Sequence, residues 1–398
     1  MSASLCLNCN TVTVESLLDF GPQPPSNRFV PVGVSDLDSH KLKLGQCIEC
    51  GLMQLVDPMA TAMVRSQHAW IKYNEPEGHL DALAAHLARL IDVDSKIMGL
   101  TYKDDSTLAR LNQLGYKKTS RYDMKSDLGI IEPCAGLETI QAAMEETMAD
   151  RLAAKYGEVD LLIVRHVLEH AHAPARFLQA LGKLLAPGGR LVFEVPDSRK
   201  FVDACDYSFI WEEHISYFTP RTLKSFARHN GFGTFDALIY PYPLEDSLVT
   251  ILQKATGSGA KADCSALSCD LESERRFAQK FAPICMRYHN HFELLRKASK
   301  RIAVFGAGHL AAKFLNFFGL KDVVDYVIDD DSNKQGLAMP GSGVPIVNSS
   351  HLQEIDLCLL ALSPESEQKV LGKQQAYMQK GGNFQSIFAL SPLAIKFP

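Results

Sequence analysis

Two pairs of cysteines near the start of the chain have a spacing that can hold a metal ion. The pairs are Cys6-Leu-Asn-Cys9 and Cys47-Ile-Glu-Cys50. Each C-x-x-C turn can direct two sulfurs at one centre, and four thiolates are a tetrahedral set that structural Zn²⁺ prefers. Four buried free cysteines are the alternative. The repeated spacing, with Gly51 after the second pair, favours structural zinc held by Cys6, Cys9, Cys47 and Cys50.

A second group of reactive side chains follows an apolar run in the middle of the chain. The run from Asp160 to Val164 reads as a buried strand, and His166, Glu169 and His170 come directly after it. Ligands of open α/β sheets bind at the carboxyl ends of strands, so chemistry is expected here. Capping of the following helix is the alternative for His166 or His172.

The stretch Trp211-Glu-Glu-His-Ile-Ser-Tyr-Phe218 brings together two carboxylates, an imidazole and a phenol. A histidine beside an acid can act as a general base near neutral pH. A surface loop with an aromatic anchor is the alternative interpretation.

Gly306-Ala-Gly-His-Leu-Ala311 fits the pattern G-x-G-x-x-A between a predicted strand and a predicted helix. Asp329 follows about 20 residues later, as in the dinucleotide-binding fingerprint. A turn that needs glycine for packing alone is one alternative. Direct NAD binding, with Asp329 on a ribose, is another.

The elements that must position these residues alternate between strand and helix, which predicts a parallel sheet with both faces covered. Residues 254–269 read as a linker, and Pro283 is expected to bend or break the helix that follows. The predicted strands lie at 96–100, 119–123, 159–165 and 190–195, and the predicted helices at 106–114, 136–156, 174–186, 220–230 and 270–300.

The composition is that of an ordinary globular protein of two or three domains, with 398 residues, 46% of them hydrophobic, and a net charge of −5. Residues 1–58 hold three Lys/Arg against six Asp/Glu, which disfavours nucleic acid. No apolar run approaches the roughly 18 residues of a membrane span, and Met1–Cys6 is unlike a signal peptide. We expect a cytoplasmic protein with no nucleic-acid or membrane partner, whose ten cysteines are thiols or metal ligands.

Taken in chain order, these pieces resemble the sugar C-methyltransferases that act on nucleotide-activated keto-deoxysugars. The His-Val-Leu-Glu-His and Pro-Gly-Gly segments are similar to class I methyltransferases in general. The family resemblance is carried by the cysteine pairs, Leu18-Asp-Phe-Gly-Pro-Gln-Pro-Pro-Ser-Asn27, Cys50-Gly-Leu-Met-Gln-Leu55, Trp211-Glu-Glu-His214 with Tyr217-Phe218, and the Gly-Ala-Gly unit with Asp329 and Lys334-Gln-Gly336.

The resemblance implies methyl transfer from S-adenosylmethionine (SAM) to a sugar carbon beside a ketone, through an enolate. It makes His214 the base and gives catalytic roles to Glu213, His170, Tyr73 and Tyr217. The glycine-rich turn of class I methyltransferases is reduced to Gly99 in Gly99-Leu-Thr-Tyr-Lys-Asp-Asp105. The cofactor residues implied are Gly99, Thr101, Lys103, Asp123 and His166, and the substrate-binding residues are Gly306, Gly308, His309 and Asp329.

The expected fold is therefore α/β, with a class I methyltransferase (Rossmann-like) centre between a small zinc-binding domain and a second Rossmann-like domain. The expected bounds are 1–66 for zinc binding, 67–253 for the methyltransferase, 254–299 for a linker and helical segment, and 300–398 for nucleotide-sugar binding. Because the glycine turn is reduced, a non-catalytic or redirected scaffold that binds a sugar nucleotide remains an alternative. An NAD-linked sugar enzyme is the second alternative.

Overall fold

The computed structural model describes residues 4–34, 38–71, 75–254 and 267–397. The chain forms two compact units, each built from several stretches of sequence. The first unit comprises Met1–Ser16, Leu44–Ser198 and Glu213–Leu271, and the second comprises Leu17–Lys43, Arg199–Glu212 and Glu272–Pro398. Residues that are distant in sequence therefore meet within each unit.

The strands of the described residues are β1 (Val14–Gln23), β2 (Val30–Pro31), β3 (His40–Cys47), β4 (Met53–Val56), β5 (Ile97–Gly99), β6 (Thr119–Arg121), β7 (Val159–Arg165), β8 (Leu185–Asp197), β9 (Ser216–Tyr217), β10 (Phe232–Tyr240), β11 (Asp246–Lys254), β12 (Ile302–Phe305), β13 (Tyr326–Ile328), β14 (Leu337–Ala338), β15 (Ile346–Val347), β16 (Leu357–Leu360) and β17 (Asn383–Ser386).

The helices are α1 (Thr61–Val64), α2 (Leu80–Leu87), α3 (Asp105–Gln113), α4 (Leu137–Ala143), α5 (Glu146–Tyr156), α6 (Pro174–Lys183), α7 (Arg199–Ala204), α8 (Pro220–His229), α9 (Leu267–Lys297), α10 (His309–Phe317), α11 (Pro364–Lys373) and α12 (Gln375–Gln379). Among the described residues, no helix combines the length and apolar composition that crossing a bilayer requires.

A six-stranded sheet with the order β10-β11-β8-β7-β5-β6 forms the core of the first unit. Strands β5 to β8 are parallel, and β11 lies antiparallel beside β8. The middle strand β7 is buried along almost its whole length, as a strand covered on both faces must be. Because parallel strands end at one edge of the sheet, Gly99, Arg165 and Glu194 come together there.

A smaller sheet, with the order β1-β3-β4-β9, includes the strands that follow the cysteine pairs. In it, β4 pairs antiparallel with β9, so that Met53 lies opposite Tyr217. The backbone N–H of Leu55 donates to the carbonyl of Ile215, and the N–H of Ile215 donates to the carbonyl of Glu169 at 2.7 Å. These bonds join the segment after Cys50 to the segment that carries His214.

The second unit contains a five-stranded parallel sheet with the order β15-β13-β12-β16-β17. Helix α10 begins directly after the glycine turn that follows β12. Gly306 in this turn has a φ of 104°, and a Cβ there would lie 2.5 Å from Leu362 Cδ2 and 3.0 Å from the carbonyl oxygen of Ala361. At Gly308, whose φ is −125°, a Cβ would meet no atom within 4 Å.

The helix expected to bend or break at Pro283 is assigned as one helix, α9, so the expectation of a break is wrong. Proline removes one backbone hydrogen bond, but packing on both sides compensates for that loss. Phe281, before the proline, and Tyr288, after it, both contact the ring of Phe318. The helix begins at Leu267, and most of the expected linker lies outside the described residues.

The single helix expected at 136–156 is also wrong, because the chain forms α4 and α5 in that region. Met144 ends α4 with a ψ of 76°, which is incompatible with helix. The strand expected at 119–123 is shorter and ends at Arg121.

The two glycines of the C-terminal turn should respond differently to alanine. Gly306→Ala is expected to lower the free energy of unfolding by about 1–2 kcal/mol through the left-handed backbone alone, with the clash against Ala361 adding to that. Gly308→Ala, as the matched control, should cost less than about 1 kcal/mol. Denaturant unfolding of both variants measures this, and equal destabilisation would contradict the geometry.

Candidate active site and zinc centre

The four N-terminal cysteines converge on one point. The Sγ atoms of Cys6 and Cys50 are 3.5 Å apart, and those of Cys9 and Cys47 are 3.6 Å apart. Four sulfurs about 2.3 Å from one Zn²⁺ in a tetrahedron lie about 3.8 Å from each other. The donor set therefore fits a closed structural zinc site, as the sequence predicts.

Each C-x-x-C turn closes with a residue in the left-handed conformation. Asn10 has a φ of 58° and donates its N–H to the carbonyl of Cys6, and Gly51 has a φ of 73° and donates to Cys47 in the same way. Asparagine is among the few residues other than glycine that adopt this conformation readily. The two turns are thus equivalent, although only Gly51 stands out in the sequence.

The turn after β5 is built around the carboxylate of Asp104. One oxygen of Asp104 accepts the N–H groups of Leu100 at 2.8 Å and Thr101 at 2.7 Å, and the other accepts the N–H of Arg165 at 2.9 Å. A Cβ on Gly99 would lie only 2.8 Å from the Cβ of Asp104. Gly99 is therefore required by this aspartate, and burial raises the pKa of Asp104 to about 7.

An ion pair with no exposed surface lies beside this turn. Arg165 Nε is 2.5 Å from Glu194 Oε2, and both side chains are completely buried. Glu194 also binds His79 Nε2 at 3.0 Å, His166 Nε2 at 3.2 Å and the hydroxyl of Ser247 at 2.8 Å. Breaking one member would leave a buried charge unpaired, so the network fixes the end of three neighbouring strands.

His166 directly follows β7 and has the left-handed conformation, with a φ of 54°. For a residue that is not glycine this is strained, and such strain is concentrated at functional sites. Burial lowers the pKa of His166, but the carboxylates of Glu75 and Glu194 outweigh burial and raise it to about 10. Burial raises the pKa of Glu75, but the positive charges of His166 and Lys103 outweigh burial and lower it to about 2.

The carboxyl end of β7 continues into a cluster of two imidazoles and a carboxylate. The rings of His170 and His214 are 4.9 Å apart and perpendicular, and Glu169 lies beside them with 2% of its surface exposed. The ring of Tyr217 is 6.4 Å from that of His214. Burial and the neighbouring His214 and His166 hold the pKa of His170 well below its usual value, so His170 is neutral.

Glu245 lies near other carboxylates beside this cluster. Burial, together with the carboxylates of Glu75 and Glu169, raises the pKa of Glu245 well above its usual value. The ammonium of Lys103, a buried side chain, lies 3.3 Å from the carboxylate of Glu75. Glu213 is 8% exposed, and Tyr73 lies outside the described residues.

Asp123 is exposed and is used by its own loop. Its Oδ1 accepts the N–H groups of Lys125 at 3.1 Å and Ser126 at 2.7 Å, together with the Ser126 hydroxyl. These bonds lower its pKa. A ribose held by Asp123 would have to use its other oxygen.

In the second unit, the carboxylate of Asp329 is held by the glycine turn. One oxygen accepts the N–H of Ala307 at 2.9 Å and the ammonium of Lys334 at 2.8 Å, and the other accepts the N–H of Asp331. A ribose hydroxyl would therefore compete with three bonds that already stabilise the turn. The assignment of Asp329 to a ribose stays a prediction.

The start of α10 carries an aromatic stack and a buried ion pair. His309 stacks on Trp211 at 4.3 Å between ring centroids. One turn later, Lys313 Nζ is 2.5 Å from Glu212, and both side chains are fully buried. The N–H of Ser26 also donates to Glu212.

Asp104, Arg165, Glu194 and His79 are not identified in the sequence as site residues. Their sequence positions give little indication of a functional role, because an aspartate in a turn or an arginine that ends a strand is usually solvated. Burial is what distinguishes them, and burial depends on strands that are up to about 100 residues apart.

Asp104→Asn should destabilise the first unit. Both oxygens of Asp104 accept backbone N–H groups, so an amide in either orientation turns a donor toward a donor and costs about 1–3 kcal/mol. Asp105→Asn is the matched control, since Asp105 is exposed and pairs with Arg121 at the surface. Urea unfolding measures the difference, and equal stability of the two variants would refute the role of Asp104.

Cys47→Ser should release the zinc and destabilise the first unit by more than about 3 kcal/mol, because zinc binding contributes folding free energy. Elemental analysis in chelator-free buffer and thermal unfolding measure both effects. Cys285→Ser is the control, since Cys285 is a free thiol on α9. Zinc retained by Cys47→Ser, or absent from the unaltered protein, would overturn the assignment.

Three family models match successive parts of the chain. Residues 6–62 match a zinc binding domain, residues 74–234 a methyltransferase domain, and residues 260–389 a C-methyltransferase C-terminal domain. The chain is also similar to the C-methyltransferase NovU of Streptomyces niveus, with 23% identity over 364 residues that cover 85% of this chain and 84% of NovU.

Solved structures with partial likeness include two methyltransferases. The 1,6-didemethyltoxoflavin-N1-methyltransferase of Burkholderia thailandensis is 19% identical, with 45% of this chain and 77% of that chain covered and a TM-score of 0.30. The magnesium protoporphyrin IX methyltransferase of Synechocystis PCC 6803 is 13% identical, with 46% and 90% covered and a TM-score of 0.31.

The order of the three matched segments, the four-cysteine centre and the α/β sheet agree with the resemblance drawn from the sequence. The three domain matches and the likeness to NovU support the activity that the sequence predicts, that of a SAM-dependent C-methyltransferase.

Proposed function

We propose that the protein methylates a carbon beside the ketone of a nucleotide-activated keto-deoxysugar, through an enolate. The observation that carries this proposal is the placement of His170 and His214, with rings 4.9 Å apart, at the carboxyl end of β7. A carbon beside a carbonyl becomes nucleophilic only after a base removes its proton. An imidazole pair at the ligand-binding edge of the sheet can supply that base.

In this proposal His214 takes the proton. It is partly exposed, whereas His170 is 5% exposed and is kept neutral by burial and by the neighbouring imidazole. The electron pair of the C–H bond becomes the enolate, and the phenol of Tyr217 donates to the enolate oxygen. Glu213 and Tyr73 complete the catalytic set that the family resemblance implies.

Bound SAM would supply an electrophilic methyl group to the enolate carbon, with S-adenosylhomocysteine as the leaving group. We assign SAM to the turn after β5, with Gly99, Thr101, Lys103, Asp123 and His166 around it. Thr101 is fully buried and Lys103 is nearly so, and in this proposal both support the wall of the site. The second oxygen of Asp123 is the one we assign to the ribose.

We assign the nucleotide part of the substrate to the start of α10, at Gly306, Gly308 and His309. A helix N-terminus favours a diphosphate, and Gly308 leaves open space beside it. Asp329 acts there by holding the turn. The domain bounds 1–66, 67–253 and 300–398, and a cytoplasmic location, remain part of the proposal.

One observation favours the scaffold alternative, in which a sugar nucleotide binds without methyl transfer. Asp104 already accepts the N–H groups of Leu100 and Thr101, which a cofactor would otherwise meet. Calorimetry with SAM, and with NAD as the comparison, separates these alternatives. Binding of neither cofactor at millimolar concentration would favour the scaffold.

Proton abstraction can be measured without SAM, as exchange of the acidic sugar proton with solvent deuterium. His214→Asn should lower the exchange rate by about 10²–10⁴-fold while nucleotide-sugar binding is retained. His170→Asn should weaken binding or orientation and leave measurable exchange. His172→Asn is the matched control, because His172 lies two residues from His170 and outside the cluster.

Reversed effects of His214→Asn and His170→Asn would make His170 the base. If the unaltered protein exchanges no proton of any keto-sugar nucleotide, the enolate mechanism is wrong for this chain.

A further inference from the structure

The carboxylate of Glu169 is buried without hydrogen bonds, and a metal ion could bind it. Glu169 has 2% of its surface exposed, and neither carboxylate oxygen has a hydrogen-bond partner among the described residues. An ionised carboxylate without hydrogen bonds is costly to bury, so such groups pair with charges or coordinate metals. His166 Nδ1 forms an ion pair with Glu169 Oε1 at 3.5 Å but no hydrogen bond, so the lone pairs of both carboxylate oxygens remain available to a metal ion.

Two imidazoles complete a set of metal ligands around this carboxylate. One ligand atom from each of Glu169, His170 and His214 lies within 4.8 Å of the others. Two ligands about 2.1 Å from one ion can be at most about 4.2 Å apart, so side-chain movements of less than about 1 Å would close the set. Two histidines and one carboxylate suit divalent transition metals such as Zn²⁺, Fe²⁺ or Co²⁺.

The backbone holds these ligands in place independently of any ion. Glu169 and His170 lie in one short helical turn after β7, and the carbonyl of Glu169 accepts the N–H of Ile215, next to His214. Two segments more than 40 residues apart in sequence are thereby fixed against each other. A preformed ligand set avoids the ordering cost that a flexible site would incur.

We infer that Glu169, His170 and His214 form a second metal site, which takes a divalent transition-metal ion in addition to the zinc of the four cysteines. The site is mutually exclusive with the base proposed above. A metal-bound imidazole has given its lone pair to the ion and carries a proton on its other nitrogen, so His214 cannot then accept a proton. Metal at this site therefore inhibits proton abstraction. Only this consequence rests on the proposed function.

Metal content tests the site without any assay of activity. The unaltered protein, incubated with excess Zn²⁺ and desalted, should hold two Zn²⁺ per chain, and Glu169→Gln and His170→Asn should each hold one. Loss of a direct ligand should weaken binding by more than about 100-fold, since even outer-shell changes cost 10–100-fold. His172→Asn, the control, should hold two. Retention of one zinc by the variants also reports that the first unit is folded.

Co²⁺ identifies which ligands hold each ion. After the four cysteines are filled, shown by saturation of the thiolate-to-cobalt charge-transfer band, further Co²⁺ should add only the weaker bands of nitrogen and oxygen ligands. These bands should be missing in Glu169→Gln and His170→Asn. A single metal per chain in the unaltered protein, or a second metal that persists in both variants, would overturn the site.

The inhibitory consequence is measured by deuterium exchange of a keto-sugar nucleotide with and without added Zn²⁺. For each variant, the exchange rate with Zn²⁺ is divided by the rate of the same variant without Zn²⁺, so differences in basal rate cancel. Zn²⁺ should slow the unaltered protein and His172→Asn, and should change the rate of Glu169→Gln by less than twofold. Activation of the unaltered protein by Zn²⁺ would overturn inhibition. Absence of exchange would overturn the proposed function, and the metal count would still decide the site.

Discussion

The backbone of Ile215 connects the zinc centre to the site where chemistry is proposed. Its carbonyl accepts from Leu55, a few residues after the second cysteine pair, and its N–H donates to Glu169, just after β7. His214 precedes it directly in the chain. The position of His214 relative to His170 therefore depends on a short strand pairing that the zinc turn initiates. A metal without an open coordination position can thus influence catalysis by fixing where a histidine lies.

The buried network at the sheet edge serves the same purpose from the other side. Arg165 and Glu194 are completely buried, and such pairs seldom add much stability, because desolvation offsets their attraction. The role of this pair is to fix the positions of neighbouring elements. Glu194 binds His79 and His166 through the same carboxylate, so the ends of β7 and β8 and the helix α2 cannot shift independently. The charge of His166 is then fixed close to the neutral His170.

Local sequence patterns predicted those parts of the molecule that local chemistry determines. The cysteine spacing located the zinc centre, and the apolar strand before His166 located the sheet edge. The partners of buried charges were not predictable, because Arg165 and Glu194 meet only when the parallel strands are in register. The contacts of Asp329 were not predictable for a related reason: the motif fixes where the carboxylate lies but not that Ala307 and Lys334 bind it.

The turn after β5 brings these constraints together. Glycine-rich turns leave backbone N–H groups for a cofactor, whereas here Asp104 accepts two of them. A buried carboxylate with a pKa near 7 is not inert, because protonation would withdraw one acceptor and release an N–H group. Under the proposed assignment of SAM to this turn, recognition relies on side chains such as Lys103 or on displacement of Asp104. Either route makes the proposed cofactor binding depend on Asp104, whose side chain also requires glycine at position 99.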